Sequence, residues 1–473
     1  MENWQVTMSI PMNKIDPAWA WQPYVPTDAN PWTVRKVGHL YRRAAFGANA
    51  TELKEGLIAG PTRAVDALIK GGPGLAEFEA ETLRWGESIR RTNAAPRSSE
   101  WWLYRMLYSP RPFQEKITLF WHNHFATSNA KVLSIEQMLG QYDLLYKHAL
   151  GNFGDMLPDI SRDPAMMIWL DTIQSKKGMP NENYARELME LFSLGIGHYS
   201  EQDIREAARA FTGWEIKGGK FFANAAQHDG SEKTVLGKTG KWTGDDIVRI
   251  CLEQKACPQF IVRKLYRNLI SESTESTADM LEPLAEVFGK DRDIGKLVER
   301  MLRSNLFFSP TSYRNKIKSP VEYVLGIVHG FEARIGVTEI ARSLESLGQH
   351  LFHPPSVKGW DGGETWLNGQ TLLTRQNLAL ELCESRTRAE GGNASSPLPI
   401  AVLNRHEAKP VDFFLNLFLQ GDVPDETRTK LTTYADKAKT QSYPVYWSAE
   451  RKAEHQVTSI CHLALTLPEF QLG

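Results

Sequence analysis

Apolar residues recur every three or four positions along most of the chain, a spacing that predicts a succession of helices from His39 onward. ATELKEGLIAG predicts a short helix closed by Gly60, and PTRAVDALIKGG a second one, opened by Pro61 in its first turn and closed by Gly71. SSEWWLYRMLYS and RPFQEKITLFWHNHF predict a helical pair broken at Pro110 and Pro112, where the proline ring fixes φ and removes an N–H donor. Further helices are expected over SIEQMLGQYDLLYKHALG, NENYARELMELFSLG, DIVRICLEQ, PQFIVRKLYRNLI, MLEPLAEVFG and IGKLVERMLRS, with capping boxes at Ser200–Asp203 and Thr243–Asp246. The interruption is WEIKGGKFFANAAQHDGSEKTVLGKTGKW, whose Gly218-Gly219 pair between aromatic and β-branched runs predicts a small hairpin near residues 215–240.

The expected fold is therefore mainly α: a large multi-helix globular domain over 34–386 with a small β-hairpin insertion and a helical C-terminal appendage. An extended N-terminal arm spans 1–33, a linker spans 387–399 in TRAEGGNASSPLP, and the appendage of 400–473 packs on the body.

Composition permits a real interior, with 42% hydrophobic and 23% charged residues in a 473-residue chain. A net charge of −1 leaves no basic field to draw in a polyphosphate backbone, so nucleic acid is excluded as a first choice of partner. Cys251, Cys257, Cys383 and Cys461 lack zinc spacing, and a disulfide framework is not expected. No stretch reaches the roughly 18 uninterrupted apolar residues of a membrane span. The opening MENWQVTMSIPMNKIDPAWAWQPYVP has no basic region followed by an apolar one, so the reading is a soluble protein, cytoplasmic by default, with co-export to the periplasm alongside a partner as the alternative.

Candidate chemistry begins at FWHNHF. His124 continues the apolar face of Phe113, Ile117, Phe120 and Trp121, whereas His122 lies about 200° around the helix, because each residue advances about 100°. Both rings can reach one metal only if the helix unwinds at its end; otherwise they are a core histidine and a helix-end histidine. In NENYARELMELF, Asn183, Arg186, Glu187 and Glu190 share one face, which is either a solvated stripe or a buried charged network. His228 and Asp229 stand together in a turn, where Asp-Gly is first of all turn chemistry. HPPSVKGWDGGETWLNG is long and polar for a connector, and its Lys358, Trp360 and Trp366 are flanked or followed by glycines that let backbone approach a ligand.

HLYRRAAFGA, FWHNHFATS, PNENYARELMELFSLGIGHYSEQDIREAARAFTGW, HDGSEKTVLG, KIKSPVEYV and LGQHLFHPPSVKGWDGGETWLN, in this order, resemble the bacterial domain-of-unknown-function family number eighteen hundred (DUF1800). The resemblance runs from about His39 to the closing LPEFQLG. It implies a large, mainly helical protein without an established reaction, often encoded beside another uncharacterised family whose members carry export signals. That neighbourhood points to envelope or polysaccharide work and to a protein partner encoded nearby. The polar residues of the signature move the reading toward a site. The leading expectation is a hydrolase in which His122, His124, His228 and Asp229 bind a divalent metal (Zn, Mn or Fe), with His124, Glu187, Glu190 and Arg186 catalytic. Trp360, Trp366, Asn183 and Lys358 would hold a glycan or an anionic small substrate. Two alternatives stand beside it: a metal-free glycan-active enzyme with paired carboxylates, and a non-catalytic helical scaffold that binds a glycan or a protein.

Overall fold

Gly60 adopts φ 78° and ψ 169° inside Ala50–Lys70, so two helical pieces meet at a kink with Pro61 opening the second. The computed structural model describes residues 14–332, 336–386 and 396–473. Residues 1–13 of the expected arm and 387–395 of the expected linker lie outside the described residues. Elsewhere local punctuation acts as the sequence implies. Pro110 and Pro112 separate Ala95–Tyr108 from Pro112–His124, and reciprocal capping boxes form at Ser200–Asp203 and Thr243–Asp246.

The chain is mainly α with a small β insertion. Among the described residues the strands form two antiparallel hairpins, Trp214–Lys217 with Lys220–Ala223 and Lys233–Val235 with Lys238–Gly240. The first turns through Gly218 and Gly219, both at positive φ, as expected. The second turns through Leu236 and Gly237, at φ 50° and 75°. A leucine in the left-handed region gives little turn signal, which is why one hairpin was expected and two are found.

Pro112–His124 runs through the centre of the body. Phe113, Ile117 and Trp121 are fully buried, and other sides of the same helix are enclosed as well, through Glu115, Lys116 and Leu119. Polar side chains on the enclosed sides of such a helix must find partners internally. Glu115 does so by accepting from Arg105 Nε at 2.8 Å, Trp102 Nε1 at 3.1 Å and the Tyr142 hydroxyl, while Glu79 takes the other Arg105 nitrogens at 2.9 and 3.0 Å. Residues 14–33 lie over the Ala278–Asp291 and Ile294–Arg303 helices: Trp21 Nε1 donates to the Met280 carbonyl at 2.6 Å and Pro23 bridges to Ser304. At the other end, buried Arg375 donates to Gln471 Oε1 and to the Lys318 carbonyl, and Ile317 pairs with Leu472. No helix among the described residues is long and apolar enough to cross a membrane.

Candidate functional site

The helix Asn183–Glu187 does not continue as a regular α-helix to Gly195; it widens into a π turn over Leu188–Ser193. The Phe192 carbonyl in that turn receives the Nε2–H of His124 at 3.1 Å. A carbonyl can only accept, so His124 is the Nε2–H tautomer, and its buried Nδ1 has no hydrogen-bond partner among the described residues. Burial pushes the His124 pKa down to about 3, with nearby Lys264 adding to the shift and the Phe192 bond opposing it.

His122 is buried too, on a different side. Its ring stands 5.1 Å from Trp102, 5.7 Å from Phe352 and 5.8 Å from Trp360, centroid to centroid. Burial, with His353 assisting, pushes its pKa down to about 3. The helix stays regular to its end, where Phe125 N–H meets the Trp121 carbonyl at 2.8 Å, so the two rings are held in separate aromatic surroundings. His228 Nδ1–H donates to the Thr212 carbonyl at 3.1 Å. Asp229 accepts from Arg209 Nε at 2.8 Å, and that guanidinium holds its carboxyl well below the usual carboxylate range. The expected metal set His122, His124, His228 and Asp229 is thus not assembled, because each member is committed to its own packing or turn. Among the described residues no three His, Cys, Asp or Glu are grouped to hold a metal ion.

What does assemble is a cleft of about 360 Å³ beside the end of Pro112–His124. Its walls come from that helix, from the Ala256–Leu269 helix, from the start of Pro320–Gly330 and from the loop that carries Lys358, Trp360 and Trp366. Asn123 clasps the loop: its Oδ1 accepts from Trp360 N–H at 2.7 Å and its Nδ2 donates to the Trp360 carbonyl at 3.3 Å. Gly359, at φ 79°, makes the clasp possible, since a Cβ there would lie 2.2 Å from Asn123 Oδ1. The expected loop and the FWHNHF segment therefore meet at one cavity. The indoles of Trp360 and Trp366 are only 6% and 8% exposed, so they serve as walls more than as open stacking faces.

The cleft is electropositive. Five cations, Lys116, Lys264, Arg267, Lys316 and Lys358, line it against three carboxylates, Glu272, Glu322 and Asp361. Glu322 is spoken for: Lys116 approaches it at 2.6 Å and Lys316 at 2.9 Å. Burial alone would raise the Glu322 pKa, but the two lysines outweigh it and hold the carboxyl well below its ordinary range. Burial also pushes Lys116 down to about 8. Lys264, Arg267 and Lys358 make no ion pair among the described residues; Lys264 sits 5.3 Å from the Phe260 ring, and burial together with Arg267 lowers its pKa. Glu272 Oε2 is buried without a hydrogen-bond partner among the described residues, and a Cβ at Gly362 would come within 2.8 Å of its Oε1.

The other expected site residues fall outside this lining. Arg186 faces outward, with two bonds of 2.8 Å to Glu201 and one of 3.3 Å to Glu182. Exposed Asn183 takes part in a local turn with Asn181, and Glu190 accepts from the Tyr199 hydroxyl at 2.8 Å. Glu187 lies between the two: burial and Glu190 raise its pKa, while Arg186 and Lys358 of the loop counter them. Sequence reasoning missed Asn123, Lys264, Arg267, Glu272 and Asp361. Asn123 was in view inside FWHNHF; Lys264 and Arg267 are an i, i+3 pair that periodicity cannot separate from any solvated face.

No curated protein and no solved structure matches the chain. The family model described as Protein of unknown function (DUF1800) matches residues 39–472, which includes every wall of the cleft and both histidines of FWHNHF. With nearly its whole length matched, the chain belongs to the DUF1800 family.

Proposed function

We propose that the cleft beside Asn123 and Trp360 binds a small organic anion, such as a sugar or similar fragment that carries a carboxylate, sulfate or phosphate. The observation that carries this reading is the convergence of Lys264, Arg267 and Lys358, none ion-paired among the described residues, on one concave site. Low-dielectric walls focus the field of such a cluster, and a ligand anion would accept charge-assisted hydrogen bonds from the two ammonium groups and the guanidinium fork. The volume of about 360 Å³ falls in the range of small-ligand pockets. His124, neutral and tied to Phe192, supports the wall as a positioning residue. A hydrolytic step on the bound ligand would fall to Glu272 and Asp361, the two cleft carboxylates left over once Glu322 is paired.

Titration calorimetry of the purified chain with an oligosaccharide of uronic acids, a sugar phosphate and a neutral oligosaccharide of the same length tests the reading. We expect the acidic ligands to bind, the neutral one not to, and Lys264→Ala with Arg267→Ala to weaken binding at least tenfold. Equal binding of acidic and neutral ligands, or binding indifferent to both substitutions, overturns it. Loss of turnover with retained affinity in Glu272→Gln would support the hydrolytic step.

A further inference from the structure

Behind the cleft lies a second, much smaller cavity. Arg42 and Arg43 of HLYRRAAFGA, Lys316 and Lys318 of KIKSPVEYV, and Phe470 near the chain's end converge on it, around a volume of about 20 Å³. Arg42 is 8% exposed, Arg43 1% and Lys318 5%. Burying like charges together is costly unless an opposite charge accompanies them. The opposite charge within reach is shared: Glu272 and Glu322 act on Arg43, and Asp422 on Arg42. Glu322, the carboxylate of this cavity, is shared by Lys116 and Lys316. Asp422 is held by Arg314 at 3.2 Å and Arg35 at 3.4 Å.

The donors tell the same story. Arg42 reaches Gln420 Oε1 through one nitrogen, and Arg43 reaches the Ser312 carbonyl at 3.0 Å through another. Nε and Nη1 of Arg43 are buried and have no hydrogen-bond partner among the described residues, while the buried Nε and Nη2 of Arg42 have the Tyr313 side chain as their neighbour. The Lys318 ammonium rests 3.6 Å from the centre of the Phe470 ring, whose π face is a weak substitute for an anion. Arg42, Arg43 and Lys318, each nine-tenths buried, line one void, and Arg43 has N–H groups to spare, which are the makings of an anion site.

We propose that this cavity binds a single halide ion, chloride being the available one, held by Arg42, Arg43 and Lys318. Size selects the ligand. A volume of about 20 Å³ holds one water-sized body, which a monatomic anion matches and a tetrahedral phosphate or sulfate exceeds. The site is independent of the ligand proposed for the cleft, although Lys316 and Glu322 border both cavities, so the halide stands directly behind the cleft floor.

The test is thermal unfolding of the full chain in sodium chloride, bromide, sulfate and gluconate at matched ionic strength. An ion that binds the folded state alone raises Tm with its concentration, and for a chain of this length the rise should be roughly 1–2 °C for each tenfold step above saturation. Chloride and bromide should give it relative to gluconate; sulfate, excluded from the protein surface, should give only a general rise that Lys318→Met leaves unchanged. Bromide soaked into crystals should give an anomalous peak between Arg43 and Lys318. Lys318→Met should lose the halide-specific rise, and Arg42→Gln should reduce it should the first variant fail to fold. A wild-type Tm that is the same in chloride and gluconate, as a counter-charge supplied from within the protein would produce, overturns the proposal, as does a folded Lys318→Met variant with the full halide response.

Discussion

His124 donates its Nε2–H to the Phe192 carbonyl across 3.1 Å, and this one bond joins the end of the central helix to the π turn of Leu188–Ser193. A π turn leaves carbonyls without their usual helical partners, and here a side chain from another element supplies one. Removing the donor strands a buried carbonyl. His124→Ala should cost about 2–4 kcal/mol in urea unfolding, from the lost bond and the cavity together. His124→Gln, whose amide can reach the same carbonyl, should recover part of it. A loss below about 1 kcal/mol for the alanine variant would show that the bond does not hold the turn.

Acid should destabilise the fold from near neutrality downward. In the unfolded chain the imidazoles of His122 and His124 bind protons below their ordinary 6.5, whereas in the folded protein burial delays this to about 3. The unfolded state therefore holds more protons between those values, and stability, full above pH 6.5, is lost as pH falls toward 3. Each ring contributes a slope on the order of 1.4 kcal/mol per pH unit. His122→Phe should remove one ring's share. Unfolding curves between pH 4 and 7 whose slope is the same in wild type and variant would contradict the assignment.

The clasp between Asn123 and Trp360 should govern the cleft. Gly359→Ala places a methyl group 2.2 Å from Asn123 Oδ1 at a φ of 79°, so the loop must move away. We expect a loss of roughly 2–3 kcal/mol of stability, an increase in Trp fluorescence quenching by acrylamide, and loss of ligand binding. Asn123→Ala should reproduce the binding loss. Retained affinity in both variants would detach the loop from function.

Glu115 should be among the costliest positions to truncate. It is fully buried and compensates Arg105, which is 3% exposed, so Glu115→Ala leaves a guanidinium without its inner partner. Breaking such a pair typically costs 3–5 kcal/mol, and Glu79, at the partly exposed end of Arg105, recovers only a fraction. Chemical denaturation of Glu115→Ala reads this directly; a change below about 1 kcal/mol would mean that Arg105 is solvated well enough without it.

Much of the fold was legible before any coordinates because it depends on residues a few positions apart. The break at Gly60, the prolines at 110 and 112, the capping boxes at Ser200 and Thr243 and the hairpin at Gly218-Gly219 are local devices, and each acts as its sequence implies. The long motifs were also enough to point to the family. The site was legible only in part. FWHNHF and the loop with Trp360 do share a cavity, yet the geometry of one helix could not say how its histidines divide. Helical periodicity sets His122 and His124 on opposite faces, as found, but predicts a single buried side, whereas elements distant in the chain bury the sides of Pro112–His124 that carry both imidazoles and leave the cleft along another. The same limit applies to charge. Arg186 and Glu190 repeat at helical spacing just as Lys264 and Arg267 do, but the first pair meets surface partners and the second lines the cleft. A period of 3.6 residues records which side chains share a face; what that face looks toward is decided by the packing of other segments, and only the assembled tertiary structure contains it.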